Sequence, residues 1–310
     1  MFYDNSGSQI VETLQNFNAA NICLLKWSNA GDKLVMCTLS SEIKMYSVEK
    51  HKIIWAHKCR SVTMFNTPCY TRCACWSQND QHIVTGCKGM ISVYLAKDGK
   101  FVDSTNAHTQ ALVTMAFSNS YRYLASSGLD MDVHIFLWPS LTLFLSVYYY
   151  RPVKALAWHP HDGDCLCIGG GIGDGSLLLW NVNKVDALSY RLVKFHGAVE
   201  NLAWNKHSGE LVVHWSYRER QNRYTIIPVF ASLDRIVDVI PIDKETRVDT
   251  ILWNFDHTQI AVQSNESVTI YNFFGNEYQY HLKQKKKPKP QEAKKITTKN
   301  FKEFKYFNIR

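Results

Sequence analysis

Three places in the sequence hold residue types able to do chemistry. "GGGIGDG", residues 169–175, carries enough glycine for a backbone to close on a phosphate. Such a loop binds nucleotides when a strand precedes it and a helix follows, because the helix's first amides hold the pyrophosphate. Here the glycines run into Ser176-Leu177-Leu178-Leu179-Trp180, a short apolar stretch ended by Asn181. That stretch reads as a strand, so the loop is a turn between strands. His108, Ser126 and Asp130 are the residue types of a nucleophilic triad, but no nucleophile elbow surrounds Ser126. The same trio, buried, can satisfy its own hydrogen bonds and fix the turns around it, and we read it as structural. "HPHDGDCLC" (159–167) and "CYTRCAC" (69–75) contain His and Cys. A zinc site generally needs four convergent ligands, whereas strand alternation puts Cys165 with Cys167, and Cys73 with Cys75, on one face of a strand in a core. Neither metal nor cofactor is expected, and no enzymatic activity.

The elements that position these residues repeat. A short apolar strand ending in Trp or Phe, then a polar turn, occurs six times, as in "ICLLKWSNAGDKLVMCT" from Ile22 and "VKALAWHPHDGDCLCIGGG" from Val153. The anchors Trp27, Trp76, Phe117, Trp158, Trp204 and Trp253 are 49, 41, 41, 46 and 49 residues apart. Further short strands follow most anchors, as in "EIKMYSV" (42–48) and "MISVYLA" (90–96). A period of roughly 40–45 residues holding about four strands is the signature of an all-β propeller of the WD40 kind, whose blades bury their faces on one another.

Composition fits one large all-β domain. The chain has 310 residues and a net charge of +8. From Lys283 to Arg310, ten lysines and one arginine stand against Glu292 and Glu303, a balance of +9, which leaves the first 282 residues at about −1. "KQKKKPKPQEAKK" (283–295) has no apolar period and two prolines, so it predicts a solvated tether or nuclear-import signal. It lacks the interleaved aromatics of a nucleic-acid platform, and no nucleic-acid partner is expected. The apolar run near Phe136–Tyr150 is cut by Pro139, Ser140, Thr142 and Ser146, short of the roughly 18–20 residues of a membrane span, and no membrane partner is expected. Met1-Phe2-Tyr3-Asp4 does not read as a secretion leader, and nine cysteines without a framework of spacings read as reduced thiols. The expected location is cytoplasm and nucleus.

"VKALAWHP" followed by "CIGGGIGDGSLLLWNV" resembles the fifth blade of the Fizzy and Fizzy-related proteins, substrate-recognising coactivators of the anaphase-promoting complex, and the chain ends, as theirs do, in Ile-Arg. The resemblance covers Met1 to about Phe274, and within this family the divergence is most similar to insect Cortex proteins. It implies a seven-bladed propeller over residues 1–280, with 1–20 the remnant of an incomplete first blade, six full repeats, and a flexible basic tail over 281–310. The family's N-terminal C-box and first strands precede the aligned segment, so a gap is expected beside the last blade. The family's terminal dipeptide, which docks on a tetratricopeptide-repeat subunit of the ligase, corresponds to Ile309 and Arg310. The acid that holds a destruction-box arginine corresponds to Glu266, and an arginine on the same face to Arg247. In the pocket for the KEN degron, where the family has polar Asn and Thr, this sequence has Leu129 and Ile172. Two hydrocarbons there would leave buried polar groups of a KEN peptide unpaired, at about 1–3 kcal/mol each, so weak or absent KEN binding is expected. The resemblance thus implies an adaptor that brings substrates such as cyclins to the ligase in mitotic or meiotic control. A WD40 scaffold of another complex is the alternative.

Overall fold

Every repeat becomes one sheet because its strands are short and are joined mostly by brief turns. The computed structural model describes residues 2–3, 10–12, 21–59, 70–191, 197–219, 222–243, 245–264, 267–274 and 303–308. Strands β1 (Phe2–Tyr3) and β2 (Ile10–Glu12) form a separate two-stranded piece. The first four-stranded sheet is β3 (Ile22–Trp27), β4 (Lys33–Thr38), β5 (Glu42–Ser47) and β6 (Lys52–Lys58). The second is β7 (Thr71–Trp76), β8 (His82–Cys87), β9 (Met90–Leu95) and β10 (Phe101–Asn106). The third is β11 (Leu112–Phe117), β12 (Tyr123–Gly128), β13 (Asp132–Leu137) and β14 (Thr142–Tyr148). The fourth is β15 (Val153–Trp158), β16 (Cys165–Gly170), β17 (Leu177–Asn181) and β18 (Asp186–Arg191).

The fifth sheet departs from the pattern. After β19 (Gly197–Trp204), the long β20 (Leu211–Glu219) pairs with β21 (Asn222–Ile226) along its second half and with β22 (Pro228–Ser232) at its start, and β23 (Arg235–Val239) lies outside β22. The third strand breaks at Ile227-Pro228, where proline supplies no amide to the ladder. The sixth sheet is β24 (Val248–Trp253), β25 (Gln259–Ser264), β26 (Ser267–Asn272) and β27 (Glu303–Asn308). Its last strand, Glu303–Asn308, lies within the segment read as a basic tail and adds in parallel to β26, from Ser267↔Glu303 to Asn272↔Asn308. The edge of β26 would otherwise present unpaired backbone groups, and the aromatic-rich "EFKYFN" suits a strand.

The inner strands β3, β7, β11, β15, β19 and β24 pack side by side in that order. Trp76 Nε1 donates to Lys26 O at 3.2 Å, Trp158 Nε1 to Ala116 O at 2.9 Å and Trp204 Nε1 to Ala157 O at 3.2 Å. Each acceptor is the residue just before the preceding anchor, so these three indoles tie their sheets to the ones before, whereas Trp253 Nε1 in the sixth sheet has no hydrogen-bond partner among the described residues. The residue after the anchor closes the turn. Ser28, Ser77 and Ser118 accept through Oγ, and Asn254 through Oδ1, from the amide five residues on, each at 3.0 Å. Gly169 allows two sheets to approach, because a Cβ there would lie 2.5 Å from Val199 Cγ1.

Five apolar clusters join consecutive sheets, and a sixth, built on Leu34, Met36 and Tyr46, belongs to the first sheet alone. Among the described residues no cluster joins the sixth sheet to the first. Along β3, Ile22, Leu25 and Trp27 are exposed, as is Leu252 on β24. The described residues therefore form six blades, and the β1–β2 piece comes from the segment that the sequence suggested as part of a seventh.

Cys37, Cys73, Cys75, Cys165 and Cys167 are buried free thiols, as alternation predicts. Burial pushes the Cys75 and Cys165 thiols up to about 11, which disfavours the reactive thiolate at neutral pH. Cys87, in contrast to the expectation of reduced thiols throughout, is disulfide-bonded.

Candidate functional site

His108 precedes β11, Ser126 lies in β12 and Asp130 follows in the turn to β13. The fold of this blade brings all three together. His108 Nδ1 lies 2.9 Å from Asp130 Oδ1, and Nε2 lies 2.9 Å from Ser126 Oγ. The Thr109 amide donates to Asp130 Oδ2 at 2.8 Å, and His134 stacks on His108 with ring centroids 4.5 Å apart. A carboxylate only accepts, so Nδ1 carries the proton and the Ser126 hydroxyl donates to Nε2. Burial pushes the His108 pKa down against the pull of Asp130. Burial also acts to raise the Asp130 pKa, but the attraction of His108, its hydrogen bond and the Thr109 amide outweigh that and hold the carboxyl low. The pair is therefore neutral imidazole beside carboxylate.

The distances are those of a nucleophilic triad, but Ser126 is 0% exposed in the middle of a sheet. No substrate reaches its oxygen without unfolding β12. The trio braces the third blade, and it leaves no room beside it: a Cβ on Gly128 would fall 2.6 Å from His108 Nδ1.

The two His/Cys stretches are also engaged in structure. His159 Nδ1 accepts the amides of His161 and Asp162, at 3.2 and 3.1 Å, and His161 Nε2 lies 2.7 Å from Lys206 O. Cys165 and Cys167 are inside the blade. Among the described residues, no three His, Cys, Asp or Glu side chains converge as metal ligands would.

The remaining sequence-derived positions lie in loops at one end of the propeller, where second strands finish and inner strands begin. Leu129 follows β12, Ile172 follows β16 and Arg247 precedes β24. Ile172 is 81% exposed and Leu129 is also exposed. The Arg247 side chain is 64% exposed and sits 3.4 Å from Asp249, a loose surface pair. Glu266, Ile309 and Arg310 lie outside the described residues. The glycine loop itself is a turn: Gly173 and Gly175 have φ of 87° and 76°, and a strand follows.

At this end a cavity of about 390 Å³ opens between the fourth and fifth sheets. Ile172 and Lys154 line one side, and Glu200, Tyr217, Arg218 and Arg223 line the other. Leu129 and Arg247 are not in its wall. Glu200 is the hub. Lys154 Nζ pairs with Oε2, while Ser216 Oγ donates to Oε1 at 2.6 Å and Arg223 Nη2 at 2.9 Å. Burial pushes the Glu200 carboxyl up, but the bonds from Lys154 and Ser216 and the charges of Lys154 and Arg223 prevail and hold it low. Next to the hub on β20, neither ring nitrogen of His214 is hydrogen-bonded among the described residues, and burial pushes the side chain down to about 4. Sequence reading missed this cluster because its members come from two repeats. The available signal was a charge near the start of each inner-strand motif, in "VKALAW" and "VENLAW", and a hairpin with three arginines in "RERQNR".

The model for the WD domain, G-beta repeat, matches residues 99–136, which hold the His108–Ser126–Asp130 brace. The described residues form an all-β propeller of six blades, and the WD-repeat match falls within it. It is 27% identical over 217 residues to "APC/C activator protein CDH1" of Saccharomyces cerevisiae, covering 69% of this chain and 36% of that protein. It is also 27% identical over 229 residues to "Meiotic fizzy-related protein 1" of Schizosaccharomyces pombe, covering 70% and 50%. "Protein FIZZY-RELATED 1" of Arabidopsis thaliana is 24% identical over 204 residues, covering 64% and 40%. The relatives support the Fizzy and Fizzy-related family. The chain spans 36 to 50% of their lengths. A chain of the "Crystal Structure of Mitotic Checkpoint Complex" superposes with a TM-score of 0.68 at 20% identity, over 80% of this chain and 73% of that one, a likeness of fold.

Proposed function

We propose that the protein is a substrate-recognising adaptor of the anaphase-promoting complex, most similar to the Cortex branch and acting in mitotic or meiotic control. The observation that carries this reading is the similarity, over about 70% of the chain, to proteins named as an activator of that complex and as a fizzy-related protein. The blades supply loops at one end for a degron, and Arg247, exposed there, makes among the described residues only a loose surface pair with Asp249. In this reading Glu266 holds a degron arginine. Ile309 and Arg310 join an aliphatic side chain and a guanidinium, a compact set of groups for docking in a groove of a tetratricopeptide-repeat subunit. The adaptor performs no chemistry; it holds substrates such as cyclins near the ligase, which raises their effective concentration. The basic stretch from Lys283 to Lys295 gives access to the nucleus as well as the cytoplasm.

The test uses the full chain and a variant lacking Ile309 and Arg310, each incubated with extract of dividing cells and analysed for captured ligase subunits. The intact chain should retain them and the shortened one should lose them. Capture of a different complex, unchanged by the deletion, would replace this reading with that of a WD40 scaffold.

A further inference from the structure

We propose that the cavity between the fourth and fifth sheets binds an acidic side chain of a peptide, with an aliphatic neighbour resting on Ile172. Three cations, Lys154, Arg218 and Arg223, line it against one carboxylate, Glu200. Both oxygens of that carboxylate are already engaged, by Lys154 on one side and by Arg223 and Ser216 on the other. Positive charge is left over. Arg218 stands directly opposite Arg223 in the β20–β21 pairing, so the two guanidiniums share a face. Like charges directly opposed across a ladder are destabilising, and Arg218 has no ion pair among the described residues, whereas Arg223 pairs with Glu200. An anion between the two arginines removes that repulsion.

The shape of the donors selects the anion. Guanidinium groups present paired N–H bonds that match a carboxylate, and Arg223 uses only Nη2 toward Glu200 and Ser216. The rim selects what comes with it: Ile172 projects into solvent beside the cavity, and Tyr217 is on its wall. An apolar group next to the acid would cover them. A nucleic-acid backbone is a poor match, because the first 282 residues carry a net charge of about −1. The source of the acidic peptide, a substrate's degron, rests on the adaptor reading; the binding chemistry does not.

The experiment is fluorescence polarisation of the full chain with two labelled heptapeptides, identical except for a central Glu or Gln next to a Leu. A third carries phosphoserine in place of Glu. The Glu peptide should bind saturably, at least tenfold tighter than the Gln peptide. Arg218→Glu should weaken it at least tenfold while leaving the thermal midpoint unchanged or higher, because the variant turns a repulsive cross-strand pair into an attractive one. Lys184→Glu, an identical charge change in the exposed turn after β17, should alter binding by less than twofold. Absence of saturable binding, equal binding of the Glu and Gln peptides, equal weakening by both variants, or binding of the phosphoserine peptide alone would overturn the assignment. Ligase capture is read separately, so its failure with peptide binding intact removes only the adaptor reading.

Discussion

Replacing Asp130 with alanine tests whether the buried brace carries stability. The carboxylate accepts the His108 N–H at 2.9 Å, the Thr109 amide at 2.8 Å and the Thr109 hydroxyl at 3.3 Å. Thr109 is exposed, so water replaces the carboxylate there. His108 has no such recourse, since its side chain is fully buried and its other nitrogen is engaged with Ser126. A buried donor stripped of a charged acceptor costs about 2–3 kcal/mol, most of it the desolvation of the orphaned N–H. Asp130→Asn keeps an oxygen for His108 without the charge and should cost about half as much. The assay is urea unfolding at pH 7 followed by tryptophan fluorescence, in which the midpoint moves and the slope does not. The Asp130 carboxyl is held below its ordinary value, so its contribution is complete above about pH 4 and fades as pH falls through the folded value. An Asp130→Ala protein within about 0.5 kcal/mol of the parent at pH 7 would refute the brace, because surface substitutions already reach that size.

Two further outcomes are expected. His214 is neutral in the fold with a pKa pushed to about 4, against roughly 6.5 when unfolded, so the unfolded chain binds more protons between these values. The fold bears no penalty from this group above about pH 6.5 and loses on the order of 3 kcal/mol toward pH 4, and His214→Leu should flatten that part of a stability profile measured from pH 7 to 5; an unchanged profile would show that His214 does not titrate this way. In the loops, a labelled KEN peptide should show no saturable binding to the parent, whereas Leu129→Asn with Ile172→Thr should yield a measurable isotherm, roughly tenfold tighter or more; clear KEN binding by the parent would remove the argument from those two hydrocarbons.

The repeat was legible because each blade uses the same local solution. An aromatic anchor, in most blades a Ser or Asn after it, and a glycine or polar turn can all be seen in one stretch of chain, and the structure shows what they do: three of the indoles reach the preceding blade, and Ser28, Ser77, Ser118 and Asn254 close their turns. His108, Ser126 and Asp130 could be found for the same reason, lying within one repeat. The fifth blade was less legible, since the split of its third strand at Pro228 depends on how far β20 extends to receive two partners.

The cationic cavity was legible only as separate charges, not as one site. Lys154 and Glu200 are 46 residues apart, at the same position of consecutive repeats, but Glu200 and Arg223 are 23 apart, with no period to link them. Only the packing of β15 on β19, and the pairing of β20 with β21, places them around one carboxylate. The addition of β27 to β26 is of the same kind, because a free strand edge belongs to the assembled sheet and not to any segment of sequence. Local sequence is enough to specify the blades, whose hydrogen bonds and apolar faces are set largely by neighbours within one repeat. Which charges meet between blades is a property of the assembled fold, because side chains from different repeats interact only after packing has brought them within a few ångströms of one another.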